Sequence, residues 1–178
     1  LAINRQRKNM QKLPNRLSYL LLFSLLAVVT PAMSSGLDTV LKNLDGKDDR
    51  LSDYLGKGKW VLFNIWGPKC PPCLEEVGEL VSFHEAHVEH DAMVVSLAID
   101  FPSFRYAKVD EVATFVDEYF VSFPVLLGDS SLVEKVTGER LLGTPTTYLY
   151  DPDGELAAVR VGTVTQQMIE NYIARGKQ

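Results

Sequence analysis

Residues 60–76 read Trp60-Val61-Leu62-Phe63-Asn64-Ile65-Trp66-Gly67-Pro68-Lys69-Cys70-Pro71-Pro72-Cys73-Leu74-Glu75-Glu76, and this stretch decides the fold. Its first seven residues are apolar apart from Asn64, which suits a central strand covered on both faces. Gly67-Pro68 breaks the strand. A helix is expected from about Pro71 to His87, because proline is tolerated at the first helical positions, whose N–H groups have no intrahelical partner. The chain has 178 residues and two cysteines, and both lie at this strand-to-helix junction. Two cysteines cannot build a disulfide framework, and two thiols do not complete a structural zinc site, which takes four ligands.

A disulfide closing a four-residue loop restrains the unfolded chain by only about 2 kcal/mol, so as a staple the pair is poor. As a reversible dithiol it makes sense. Cys70 falls at the start of a helix, where unpaired N–H groups and the helix dipole favour a thiolate. Pro71 and Pro72 remove some of those N–H donors, which leaves the thiolate less stabilised and the disulfide harder to reduce. That leans the pair toward a reductant, since strong oxidants gain their power from a stabilised reduced form. Lys69 pushes the other way, but an exposed charge moves a pKa by less than one unit. Glu76 follows Cys73 by three residues and shares its helix face, so its carboxylate can serve as the base for the Cys73 thiol. The helix dipole also favours an acid in an early turn, which is the alternative account of Glu76 and the whole account of Glu75.

Outward from this core, strands and helices alternate. A strand is expected over Thr39–Leu44 with a turn at Asp45-Gly46, a second buried strand over Met93–Ile99, an amphipathic helix over Val109–Phe120, and an extended piece over Pro124–Leu127. A short helix over Ser131–Thr137, a hairpin of Thr146–Tyr150 and Leu156–Val161 around Asp151-Pro152-Asp153-Gly154, and a closing helix over Thr165–Ala174 complete the chain. This is an α/β pattern, a central mixed β-sheet with helices on both faces in a single domain. With 46% hydrophobic and 23% charged residues the chain can bury a core, which excludes disorder, collagen and coiled coil. The net charge of -5 excludes a nucleic-acid binder.

That charge is an average of two regions. Residues 1–34 carry only basic charges (Arg5, Arg7, Lys8, Lys12, Arg16), then the run Leu17–Thr30, then the small residues Ala32 and Ser34. These are the parts of an export signal, to be removed as a signal peptide or retained as an N-terminal membrane anchor. Counted from Met10, they make a compact signal. The domain expected over 35–178 keeps 13 basic against 23 acidic side chains, a charge near -10. The expected location is periplasmic or otherwise extracytoplasmic, an oxidising compartment, possible attachment to the inner membrane included.

Three motifs together resemble one family: Asn64-Ile65-Trp66-Gly67 before Cys-Pro-Pro-Cys, Glu76 after it, and Gly143-Thr144-Pro145-Thr146-Thr147-Tyr148-Leu149 downstream. They are similar to the exported thioredoxin-like thiol-disulfide oxidoreductases of the TlpA/ResA type, over roughly Leu37–Ala174. The resemblance implies a thioredoxin fold, a cis Thr144-Pro145 peptide beside the Cys pair, and a substrate surface formed by Thr144, Pro145 and Trp66. It implies disulfide-containing protein substrates, cytochrome c apoproteins among them, and a membrane-embedded electron donor, with no cofactor and no metal. An amide at Asn64, where cytosolic thioredoxins carry Asp, cannot be a base and shifts that weight to Glu76. Lys69 in place of the usual Trp, and Gly78 in place of a frequent Pro, depart from the family. In this reading Cys70 attacks, Cys73 resolves and Glu76 handles the proton.

Other signals compete. His84, His87 and His90 form a HxxHxxH series, read as a solvated face rather than a metal site. Asp151 starts a calcium-loop-like run but lacks the acid eleven residues on, so a hairpin turn is expected. Phe101, Phe104 and Tyr106 are read as covering the core. A copper-delivery protein or a non-catalytic binding module of the same fold is the alternative class, though no His follows His90 to complete a copper site. A peroxidase would want a Thr three residues before its reactive Cys, where Gly67 stands.

Overall fold

The computed structural model describes residues 36–176, so the expected export segment lies outside the described residues. Chain order is β1 (Leu41–Asn43), β2 (Asp48–Asp49), β3 (Trp60–Trp66), α1 (Pro71–His87), β4 (Ala92–Asp100), β5 (Arg105–Tyr106), α2 (Val109–Glu118), β6 (Val125–Leu127), α3 (Ser130–Thr137), β7 (Thr146–Tyr150), β8 (Leu156–Val161) and α4 (Gln166–Gly176). One sheet runs in the order β2-β1-β6-β4-β3-β7-β8, with β5 pairing β4. The pairs β3/β4 and β4/β6 are parallel, and β3/β7, β7/β8 and β1/β6 are antiparallel. The expected mixed sheet is therefore present, with β3 in its interior between β4 and β7 and every residue of β3 buried.

Because side chains alternate along a strand, β3 feeds two cores. Trp60, Leu62 and Trp66 face Cys73, Val77, Leu80 and Phe83 of α1, Val112 and Phe115 of α2, and Ile169 and Ile173 of α4. Val61, Phe63 and Ile65 face Val133 and Val136 of α3 together with Leu41 and Leu51. Helices thus cover both faces, three on one and one on the other, where the segment before β3 completes the cover.

Boundaries differ from expectation where local chemistry is subtle. The first strand shortens to Leu41–Asn43, because its end turns back through Asp45-Gly46 into β2, a strand too short to show a period. The helix expected over Val109–Phe120 stops at Glu118, and Phe120 adopts a φ of 51°. The strand β5 had no alternating pattern to announce it. The Asp151 turn forms as expected: its Oδ1 accepts from the N–H groups of Asp153 and Glu155 at 3.0 and 2.9 Å.

Candidate active site

Cys70 is the N-cap of α1, with extended backbone (φ -88°, ψ 108°), and Pro71 and Pro72 occupy the first two helical positions. Its carbonyl accepts from the N–H groups of Cys73 and Leu74 at 3.0 and 3.2 Å, which closes the first turn. Cys70 and Cys73 are joined in a disulfide, and both residues are buried, at 0% and 2% exposed. The pair presents almost no surface of its own, a feature that composition did not announce. Across from it, the Thr144–Pro145 peptide is cis. Thr144 Oγ1 donates to Cys70 Sγ at 3.4 Å, a hydrogen bond between residues 74 positions apart. Pro145 is buried, and its carbonyl accepts from Gly162 N–H at 2.8 Å.

Behind the disulfide stands Glu76, 2% exposed and held at both oxygens. Asn64 Nδ2 donates to Oε1 at 2.9 Å, and the backbone N–H of Val164 donates to Oε2 at 2.9 Å. Asn64 also donates to Thr147 Oγ1 at 3.0 Å, which is possible because Asn64 and Thr147 sit opposite each other on β3 and β7 and so share a face. Burial pushes the Glu76 carboxyl up to about 7, against the two N–H donors and the Arg160 guanidinium, which act to lower it. A carboxyl poised near neutrality can both take and return a proton at ordinary pH. Glu76 and Cys73 line the same small pocket, together with Asn64 and Trp66. The Val164 donor is a backbone group and has no signature in the sequence.

Trp66 is buried, at 4% exposed, with its ring centroid 4.4 Å from that of Phe115. Its place at the buried end of β3 is the physical reason, and among the described residues its indole N–H has no hydrogen-bond partner. Lys69, beside Cys70, does not stand free. Its Nζ donates to Glu111 Oε1 at 2.7 Å, and Lys108 Nζ lies 3.4 Å from the same oxygen. The carboxyl of Glu111 is held low by its bond to Lys69, and the Lys69 ammonium is raised by the same bond. At Gly67 a Cβ would come within 2.8 Å of Phe101 Cβ and 2.9 Å of Ile99 O, so no threonine fits three residues before Cys70. Gly78 leaves α1 unbroken, with nothing within 4 Å of an added Cβ.

The histidine series is not a solvated face. His84 is 5% exposed, and its Nδ1 accepts from Val94 N–H at 3.0 Å, so burial holds it below its usual pKa. His87 lies 2.8 Å from Asp91 Oδ1 and 3.3 Å from Glu170 Oε1; burial lowers its pKa, but the two carboxylates win and raise it. Only His90 of the three is exposed. Helical periodicity could not reveal that α1 turns its last histidines onto β4 and α4. Among the described residues, no group of three or more His, Cys, Asp or Glu side chains is placed to hold a metal ion. Phe101 and Phe104 pack against the cores, their rings 6.0 Å apart, whereas Tyr106 is 43% exposed and covers nothing of the kind.

Residues 35–159 match the AhpC/TSA family. The chain is 32% identical over 134 residues to the thiol-disulfide oxidoreductase ResA of Halalkalibacterium halodurans, covering 75% of this chain and 70% of that one. It is 31% identical over 136 residues to the thioredoxin-like protein YneN of Bacillus subtilis, covering 76% of this chain and 75% of that one. Among solved structures, a DsbF homologue from Corynebacterium diphtheriae superimposes with a TM-score of 0.65 at 25% identity, covering 77% of this chain and 83% of that one.

Proposed function

This chain belongs to the AhpC/TSA family and is a thioredoxin-fold thiol-disulfide oxidoreductase, and from that premise we propose that it is an exported reductant of protein disulfides. The observation that carries the proposal is the Cys70–Cys73 pair at the head of α1, backed by a buried carboxylate whose two oxygens are already held in place. In the reduced protein, the Cys70 thiolate attacks one sulfur of the substrate disulfide. A Cys70–substrate disulfide forms, and the other substrate sulfur leaves as a thiolate and takes a proton. Glu76 then accepts the proton of the Cys73 thiol, directly or through a water in the pocket they share. The Cys73 thiolate attacks Cys70 Sγ, the second substrate thiol departs, and two electrons have passed to the substrate.

Cys70 is buried beside Thr144, so the substrate disulfide approaches it along the Leu142–Thr144 loop, where Leu142 is 80% exposed and offers an apolar hold. Thr144 and Pro145 shape that groove, and Trp66 forms its floor. Direction follows from the donors around Cys70. Pro71 and Pro72 supply no N–H to a thiolate, Lys69 is bound to Glu111, and the Thr144 hydroxyl is one neutral donor. A reduced form so sparsely stabilised makes a reductant. Residues 1–34 direct export and serve as signal or anchor. The substrate class suggested by the ResA-like resemblance is the haem-binding thiols of cytochrome c apoproteins, and a membrane-embedded dithiol donor restores the reduced pair.

Trapping tests the reading. Cys73→Ser, reduced and mixed with an oxidised protein substrate, accumulates a covalent Cys70–substrate disulfide visible by intact mass, while Cys70→Ser accumulates none. Intact partner binding and full biological activity in Cys70→Ser would instead make the domain a binding module.

A further inference from the structure

Arg160, whose charge acts on Glu76 from β8, sits at the end of a straight row. Asn64 on β3 pairs with Thr147 on β7, and Thr147 pairs with Arg160 on β8, so the three side chains share one face of the sheet, the face on which α1 lies. Arg160 Nε donates to the carbonyl oxygen of Thr163 at 2.9 Å. That carbonyl belongs to the same peptide unit as the N–H of Val164, which donates to Glu76 Oε2 at 2.9 Å. A cation on the oxygen of a peptide group polarises its N–H and strengthens the bond that the N–H donates. We infer that Arg160 is a positioning residue for Glu76, holding and polarising the Thr163–Val164 peptide so that its N–H fixes and stabilises the ionised carboxylate that deprotonates Cys73. The inference rests on the proposed proton role of Glu76.

The surroundings leave Arg160 the task. From β3 and β7 come only neutral groups, Asn64 and Thr147. On α1, Cys73 is the reacting partner, and Glu79, one turn on, is engaged by the N–H of Gln166 at 2.9 Å. Glu76 and Glu79 thus both bind the segment that leads into α4, and Arg160 ties that segment to β8. The Arg160 guanidinium acts to lower the pKa of Glu76.

The test is the pH profile of the resolving step, followed by stopped flow as the reduced protein passes through its mixed disulfide with a disulfide-linked peptide. Resolution rises with pH as Glu76 ionises. Arg160→Gln is expected to move that rising limb about half a pH unit upward, within the sub-unit effect of an exposed charge. Arg160→Lys, which keeps the charge but not the Nε geometry, is expected to move it less, and Arg160→Gln is expected to add no shift where Glu76→Gln has already removed the limb. Should Glu76→Gln abolish the limb while Arg160→Gln superimposes on the wild type, the inference about Arg160 falls alone. If Glu76→Gln keeps the limb, the proton role falls and takes the inference with it. Arg160 is exposed on an edge strand, and thermal unfolding of each variant confirms that a shifted limb is not a loss of fold.

Discussion

Glu76 lies on the inner side of the disulfide, and Glu111 on the outer. Glu76 is walled in by β3, β7 and the segment before α4, and burial drives its carboxyl up to about 7 even though two N–H groups hold it. Glu111 is half-buried on α2 between Lys69 and Lys108, and its ammonium partners hold it below the ordinary carboxylate range. One helix turn of sequence separates Cys73 from the first, and a salt bridge of the adjacent residue ties Cys70 to the second. The same side chain is lifted toward neutrality where water is excluded and stays a fixed charge where it is not. The chemistry of this site should therefore depend strongly on the inner carboxylate and weakly on the outer one.

The largest effect is expected from Glu76→Gln. Loss of a positioned general base typically costs 10²–10⁴-fold, so release of the mixed disulfide at neutral pH should slow by about 10²-fold while its formation by Cys70 is unaffected. The same variant has a second readout. A carboxyl whose folded pKa is raised stabilises the fold fully below its unfolded pKa, and that contribution is lost as pH rises through the folded value. With a folded pKa of about 7 against 4.5, the stability of wild type relative to Glu76→Gln should fall by on the order of 3 kcal/mol between those limits. Denaturant unfolding of the oxidised proteins at pH 4.5 and 8 measures it, and a flat difference would break the comparison on its inner side. At the other extreme, Lys69→Ala and Glu111→Gln break an exposed ion pair and should change the exchange rate within about threefold, the difference vanishing at high salt. A larger, salt-independent loss would show that the outer carboxylate shares in the chemistry.

How much of this was legible depends on how far each signal travels along the chain. The apolar run of β3, the break at Gly67-Pro68 and the prolines after Cys70 are local, and they placed an interior strand, the helix start and the redox pair. Glu76 was legible for the same reason, since three residues from Cys73 is one helix face. Its depth was not, because burial is made by β7 and by the segment before α4, some 70 to 90 residues on. The Thr144 hydroxyl on Cys70 and the Val164 N–H on Glu76 belong to contacts between distant strands and loops, and the second carries no side chain at all. His84 shows the opposite error: periodicity read a polar face, while the fold turned that ring onto Val94. Trp66 was assigned to the substrate surface through resemblance alone, and its burial at the end of β3 carried no separate signal in the sequence.

The central claim is that the Cys70–Cys73 pair runs as a reductant because little stabilises its thiolate. Its reduction potential, titrated against a glutathione or dithiothreitol buffer with intact mass as the readout, tests this directly. A potential near that of thioredoxin, about -270 mV, is the expected result, and a value near about -120 mV, that of a strong oxidant, would contradict the account.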